Sequence, residues 1–320
     1  MSSRSRSGAR PHGVSHAALR DPIVPLDFDC WARRVYRVFR NGLKQLGILA
    51  MIPVGLIGIY LVTISLTAPD TAEIKQRLAA AAAASPTGIV DTSTQFWIVF
   101  GHVLPAGLIF LILFMDSEYF YQACAHYVTL RTANGQPART SEALRQTEFR
   151  ILPYLGWIPL FALLVAACAF VMLTLEYLNP IGALNVAISL FAFTLVAGLS
   201  VFIQPTVSGV AFIERAGISR CVHLVKPRFW ATLGRMIVTW LIIVGYALAL
   251  LMLTWLLALP FGGLEQISTP GTAITTIIQL VLAIPAFVFT TAVSVVSYAE
   301  LRFHENNSTS TRTLTAELTR

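Results

Sequence analysis

Apolar and polar positions fall along this chain in long blocks. Six blocks, at 43–66, 96–130, 151–178, 184–213, 232–260 and 272–301, each contain enough uninterrupted apolar sequence to cross a bilayer core, which takes about 20 helical residues. The fourth is longer than the hydrocarbon requires, so part of it tilts or emerges. The pattern predicts an all-α integral membrane protein with six transmembrane helices. Residues 29–305 form the membrane domain. They are flanked by a Ser- and Arg-rich tail at 1–28, expected to be disordered, and by a polar, Ser- and Thr-rich tail at 306–320.

Two shorter stretches have a helical period. Trp31, Val35, Val38 and Phe39 line one face, with Arg33, Arg37 and Arg40 opposite, and Ile218, Cys221, Val222 and Val225 repeat the device with Arg220 and His223 facing away. Both read as amphipathic helices lying on the inner leaflet and orienting the span that follows. Arg33, Arg37, Arg40, Arg220, Arg228 and Trp230 are therefore candidates for contact with lipid headgroups.

Composition agrees with the pattern: 56% of residues are hydrophobic, 12% are charged and mean hydropathy is +0.69. That balance excludes a disordered chain and most soluble enzyme folds. The net charge of +7 would suggest a nucleic-acid partner if it were evenly spread. It is not: in the six-span arrangement all the Lys and Arg except Lys75 and Arg77 fall on one side. The positive-inside rule then places both termini in the cytoplasm and the protein in a bacterial inner membrane, with the lipid bilayer rather than nucleic acid as the basic face's partner. Cys30, Cys124, Cys168 and Cys221 are isolated and lie in the membrane or on its reducing side, so no disulfide framework is expected.

The spans also repeat. Phe39-Arg40 before Leu46-Gly47, Phe149-Arg150 before Leu155-Gly156, and Arg228-Phe229 before Leu233-Gly234 introduce spans one, three and five alike. Tyr127-Val128-Thr129-Leu130-Arg131 after span two matches Tyr298-Ala299-Glu300-Leu301-Arg302 after span six, with Phe212-Ile213-Glu214-Arg215 a looser version after span four. The expectation is three repeated helical hairpins. The first outer turn, 67–95, is long and carries a predicted Ala-rich helix around Ala72 to Ala84.

The stretch Leu130-Arg131-Thr132-Ala133-Asn134-Gly135-Gln136-Pro137, continuing through Ser141-Glu142-Ala143-Leu144-Arg145 to Leu155-Gly156, resembles the inner loop and third span of a bacterial family, the glycerophosphoryl diester phosphodiesterase membrane-domain type. Phe212-Ile213-Glu214-Arg215-Ala216-Gly217 through His223-Leu224-Val225-Lys226-Pro227-Arg228-Phe229-Trp230 to Leu233-Gly234 is similar to its fourth-to-fifth-span connection. The resemblance extends over roughly 31–305 and implies six spans. It does not imply the phosphodiesterase activity, because the soluble barrel of some relatives, with its His-Arg pair and Glu-x-Asp metal ligands, has no counterpart in this sequence.

Candidate chemistry concentrates in two places. In span two, Glu118, Gln122, His126 and Thr129 share one helical face, with Asp116 on the far side. The apolar window alone leaves Asp116 and Glu118 at the inner interface, whereas the repeat alignment carries the helix to Leu130 and draws them into the membrane. Ionisable groups at that depth face a bundle interior or a cavity, and a carboxylate and histidine on one face suit proton or cation handling. The second place is the inner ends of the spans, where Glu214, His223, Glu300 and His304 form a candidate cluster. No metal-ligand spacing, Gly-rich phosphate loop or nucleophile elbow occurs, so neither a metal nor another cofactor is expected. Gln204 with Pro205 and Gln279 with Pro285 read as helix breaks satisfied by polar neighbours. Ala162 with Ala166, and Gly245 with Ala249, read as sites of close helix contact.

The expected function is that of a non-enzymatic membrane protein: a partner, scaffold or assembly factor, or a lipid-interacting element, with a membrane protein or a second copy as its associate. The alternative is a small-solute, ion or proton-coupled transporter using the span-two stripe. The topology is directly testable: alkaline phosphatase fused after Ala82 should be active and a C-terminal fusion inactive. An active C-terminal fusion overturns the six-span count.

Overall fold

The structure is a computed structural model describing residues 21–25, 27–67, 71–85, 94, 98, 103–148, 208–258 and 269–318. These residues are helical, with no strand among them: α1 (Phe28–Thr67), α2 (Thr71–Ala84), α3 (Val103–Ala133), α4 (Thr140–Glu148), a π-helical turn (Val210–Glu214), α5 (Ile218–Val225), a 3₁₀ turn (Lys226–Arg228), α6 (Phe229–Ala258), α7 (Thr269–Glu305) and α8 (Thr311–Leu318). Among the described residues three stretches, Phe28–Thr63, Ser219–Leu257 and Thr276–Glu305, are long and apolar enough to cross a membrane. The expected spans at 151–178 and most of 184–213 lie outside the described residues. So do Cys168, Gln204 with Pro205, and Ala162 with Ala166.

Helix α7 is central. Trp31 Nε1 donates to Ser297 Oγ at 3.0 Å and Phe39 meets Phe289 edge-on at 6.1 Å, so α1 runs antiparallel to α7. Arg235 faces Glu300, and the Tyr246 hydroxyl donates to the Leu282 carbonyl at 2.5 Å, so α6 is antiparallel to α7 as well. Tyr60 stacks on Phe110 at 3.9 Å, while Tyr121 meets Phe287 edge-on at 6.0 Å, which places α3 antiparallel to α1 and beside α7. The core lies at one end of this bundle, here called the base, where every residue from Thr291 to Leu301 of α7 is buried.

Several expectations are corrected. The amphipathic segment at Trp31 to Arg40 is not a separate helix on the leaflet but the first part of α1, a continuous 40-residue helix. The continuity follows from packing: Trp31, Val35 and Val38 bury against the base, so the helix axis has no reason to turn. Asp27 caps it, accepting the Cys30 N–H at 2.7 Å, and that bond holds its carboxyl below the usual aspartate range. The cap is therefore intact at neutral pH and is lost as acid protonates the carboxylate. The second amphipathic segment does form its own helix, α5, but Leu224 is buried where Val222 was expected, and Val222 is exposed.

The polar tails are ordered where described. Ile23 and Val24 are fully buried, and α8 buries Leu314 and Leu318 against the base. The two are clasped by Asp21, whose carboxylate accepts the N–H groups of Ile23 and Val24 and, across 290 residues, the Thr311 N–H at 2.8 Å and hydroxyl at 2.6 Å. The Ser- and Thr-rich composition of the C-terminal tail suggested disorder. The same short hydroxyl side chains instead satisfy backbone groups at helix ends. The Ala-rich helix α2 stands as expected, with an Arg77–Glu73 pair one turn apart. Gly245 and Ala249, expected at a close helix contact, are exposed, and no atom of the described residues lies near a Cβ built on Gly245.

Two glycines carry backbone requirements. Gly135, at φ 73°, turns the chain out of α3 towards α4. Gly209, buried just before the π-turn, lies against the Tyr298 ring so closely that a Cβ there would come within 2.2 Å of it. Gly209→Ala should therefore destabilise the protein by about 1–3 kcal/mol in detergent thermal melts, as overpacking of a close contact does. Gly55→Ala, where a Cβ meets open space inside a helix, should cost nothing.

Candidate functional site

Helix α3 continues to Ala133, which puts Glu118 in its middle and all four stripe residues on one continuous face. The stripe packs towards α7 and the π-turn. Gln122 Nε2 donates to Glu118 Oε1 at 2.8 Å, and its own Oε1 lies 3.2 Å from the Thr291 hydroxyl. That hydroxyl is also 3.0 Å from the Tyr121 hydroxyl. His126 is 0% exposed; its Nδ1–H donates to the Gln122 carbonyl at 2.8 Å, and its ring lies 6.1 Å from Phe212. Among the described residues, Glu118 Oε2, His126 Nε2 and Thr129 Oγ1 are buried without hydrogen-bond partners. With Nδ1 carrying the proton, Nε2 of a neutral ring is an acceptor in need of a donor. Close by, Ser208 and Ser294 pair through their hydroxyls at 2.9 Å.

At the base, the four candidate residues do not converge on one point. Glu214 is engaged by Tyr298 and Arg302 on one side of α7, whereas Glu300 projects from α7 on another side to Arg235 of α6. The π-turn ends at Arg215, whose φ of 54° is left-handed, and the turn directs Glu214 inward. Its Oε1 accepts the Tyr298 hydroxyl at 2.8 Å and Arg302 Nη1 at 2.7 Å, while its Oε2 accepts Arg220 Nε at 2.5 Å. Arg220 also grips both oxygens of Glu305, and Arg302 reaches both oxygens of Glu317 on α8. Charges thus alternate from Glu305 through Arg220, Glu214 and Arg302 to Glu317. On the other side, Glu300 pairs with Arg235 at 2.5 Å, both buried, with His304 Nε2 3.7 Å away. His223 is 74% exposed and stands 4.0 Å from Glu305. Among the described residues no three His, Cys, Asp or Glu are placed to hold a metal ion.

Of the candidate headgroup residues, Arg33, Arg37 and Arg40 are exposed along α1, and Trp230 is 79% exposed at the foot of α6. Arg220 points inward and belongs to the ion-pair chain. Sequence reasoning missed Arg235, Arg302, Glu305 and Glu317. The signal for Arg302 was present in the Tyr-x-x-x-Arg match between the ends of spans two and six. In both copies the Tyr and Arg, one turn apart, meet a carboxylate supplied from elsewhere: Arg131 contacts the Tyr127 hydroxyl and Glu142, as Arg302 and Tyr298 contact Glu214. Arg235 had no such signal, because its partner is 65 residues distant.

No protein-family model, curated protein or solved structure matches this chain. The buried pair makes its own prediction. Glu300→Gln leaves the Arg235 charge uncompensated and should cost about 3–5 kcal/mol, read as a lowered melting temperature in detergent. Combining Glu300→Leu with Arg235→Met should recover most of that loss, since neither charge is then buried alone.

Proposed function

We propose that this chain is a non-enzymatic, multi-pass protein of the bacterial inner membrane, built as three related hairpins of six spans with both termini cytoplasmic, that serves as a scaffold or assembly partner and as a lipid-interacting element. The observation that carries this reading is the ion-pair chain at the base. Its charged side chains are spent on each other, joining the π-turn, α5, α7 and α8 into one rigid surface. A platform of fixed charges suits docking; its three glutamates outnumber its two arginines, so the basic face that suits an anionic leaflet lies beside it. Arg33, Arg37 and Arg40 remain exposed beside it.

The path of the described chain supports the six-span count. It lies near the base at Glu142, which pairs with Arg131, and again at Ser208, which pairs with Ser294; one further hairpin would join these points. The two Tyr-Arg-carboxylate sets support a repeat. On this reading the resemblance to the phosphodiesterase membrane-domain family concerns the membrane part alone.

A second reading, a proton- or ion-coupled transporter, is favoured by one observation: three polar atoms of the stripe are buried and have no hydrogen-bond partner among the described residues. Buried polar atoms without partners are costly and mark either water or a passing ion. The scaffold reading predicts that proteoliposomes of the wild type show no proton or cation flux above empty vesicles under an imposed gradient. Flux that disappears in a folded Glu118→Gln, His126→Ala variant overturns it in favour of transport. Flux unchanged in that variant excludes the stripe as its route.

A further inference from the structure

A groove of about 440 Å³ opens between α1, α6 and α7, lined by Trp31 and Ala32, Ile242 and Tyr246, and Pro285 and Ala286 among its walls. Its size falls within the range of about 300–1,000 Å³ typical of small-molecule sites. The lining is almost wholly apolar, and all three contributing helices are long and apolar enough to cross a membrane. The cause is local. Pro285 has no N–H to give to the preceding turn of α7, and the Tyr246 hydroxyl donates to the Leu282 carbonyl in that turn. Ala32 and Ala286 take volume from facing walls, so the surface between the helices is a slot and not a ridge.

The slot has a direction. Its lining on α1 runs from Phe28 to Phe39, about 16 Å at the helical rise, from the level of the charged base towards the middle of the bundle. At its foot the Arg235 guanidinium lies 6.0 Å from the Trp31 ring centroid and is paired with Glu300. Two helical turns before Arg235, Arg228 has no ion-pair partner among the described residues, and the exposed Trp230 stands beside it. Phe28 has two acidic neighbours: Asp27 is occupied in capping Cys30, and the exposed Asp29 has Arg33 one turn on, whose Nε donates to its carbonyl at 3.3 Å. An apolar slot with a cationic foot and an interfacial tryptophan is complementary to an amphiphile with a negative head.

We propose that this slot holds one acyl chain of an anionic phospholipid whose headgroup phosphate sits at Arg228. The proposal rests on reading the chain as a membrane-spanning, lipid-interacting protein and names the lipid class and its place. The test uses the full chain in nanodiscs of equal parts phosphatidylglycerol and phosphatidylcholine, followed by native mass spectrometry after release into detergent. The wild type should retain one lipid per chain, predominantly phosphatidylglycerol. Ile242→Trp fills the slot from its rim and should lose that lipid at an unchanged melting temperature; Ala286→Phe, filling it from α7, serves as the second variant. Arg228→Gln should keep a lipid but lower the preference for phosphatidylglycerol about fivefold, roughly the worth of one cation near an anionic headgroup.

Wild-type retention in both folded slot variants overturns the proposal. So does a wild-type dimer that Ile242→Trp breaks, since a second copy would then be the occupant. Stoichiometric capture of a protein partner from the native membrane, alongside unchanged lipid retention in the slot variants, sinks the slot and leaves the scaffold standing. Lipid loss in the variants with no partner captured does the reverse.

Discussion

Glu214 is the point on which the base depends. One carboxylate, carried on a buried π-turn, satisfies the Tyr298 hydroxyl and two guanidinium groups, and those two hold Glu305 and Glu317 in turn. Two arginines drawn out of water repay their desolvation only when each charge meets an opposite one with good geometry. That requirement fixes α5 against the end of α7 and brings α8 back beneath it. It also explains the local backbone: Gly209 lies flat on the Tyr298 ring, and Arg215 takes a left-handed conformation so that the preceding residue turns inward.

The helices above the base follow a different rule. Along α6, Leu241, Leu248, Leu251, Met252 and Leu256 are exposed, as are Ile59 and Val62 of α1. Such a surface is costly in water and costs nothing in hydrocarbon, so the exposed apolar band belongs to the same physical argument as the buried charges below it. The buried core of the described bundle is concentrated where the chain is most polar. There, electrostatics and hydrogen bonds join the elements, and each hydroxyl of the C-terminal helix that turns inward finds a carbonyl or carboxylate, as Thr315 does at Leu130 and Thr311 does at Asp21.

The stripe on α3 and the slot beside α7 represent two ways in which a membrane helix accommodates an irregular need. In the stripe, polar side chains at helical spacing are drawn together by Thr291 and Gln122 but leave three atoms unmatched among the described residues. In the slot, a proline opens the packing and a tyrosine hydroxyl serves the loosened turn. The first stores an unmet hydrogen-bonding demand and the second an unmet volume. In the two proposals made for them, the first suits a proton or water and the second an acyl chain.

What the sequence determined by itself was whatever depends on neighbours in the chain. The apolar blocks within α1, α6 and α7 specify helices that suit a membrane, the Ala-rich stretch specifies α2, and the spacing of Glu118, Gln122, His126 and Thr129 places them on one face, because helical geometry is local. The pairing of Tyr298 with Arg302 was also legible, since one turn separates them. Tertiary structure alone decided that Arg220 turns inward, that Arg235 meets Glu300, that the polar C-terminal segment folds as α8 under the clasp of Asp21, and that α1 passes unbroken from base to membrane. These depend on charges and hydroxyls far apart in sequence whose burial is favourable only once the partner is present. A hydropathy pattern scores each residue against solvent and has no access to what it will meet.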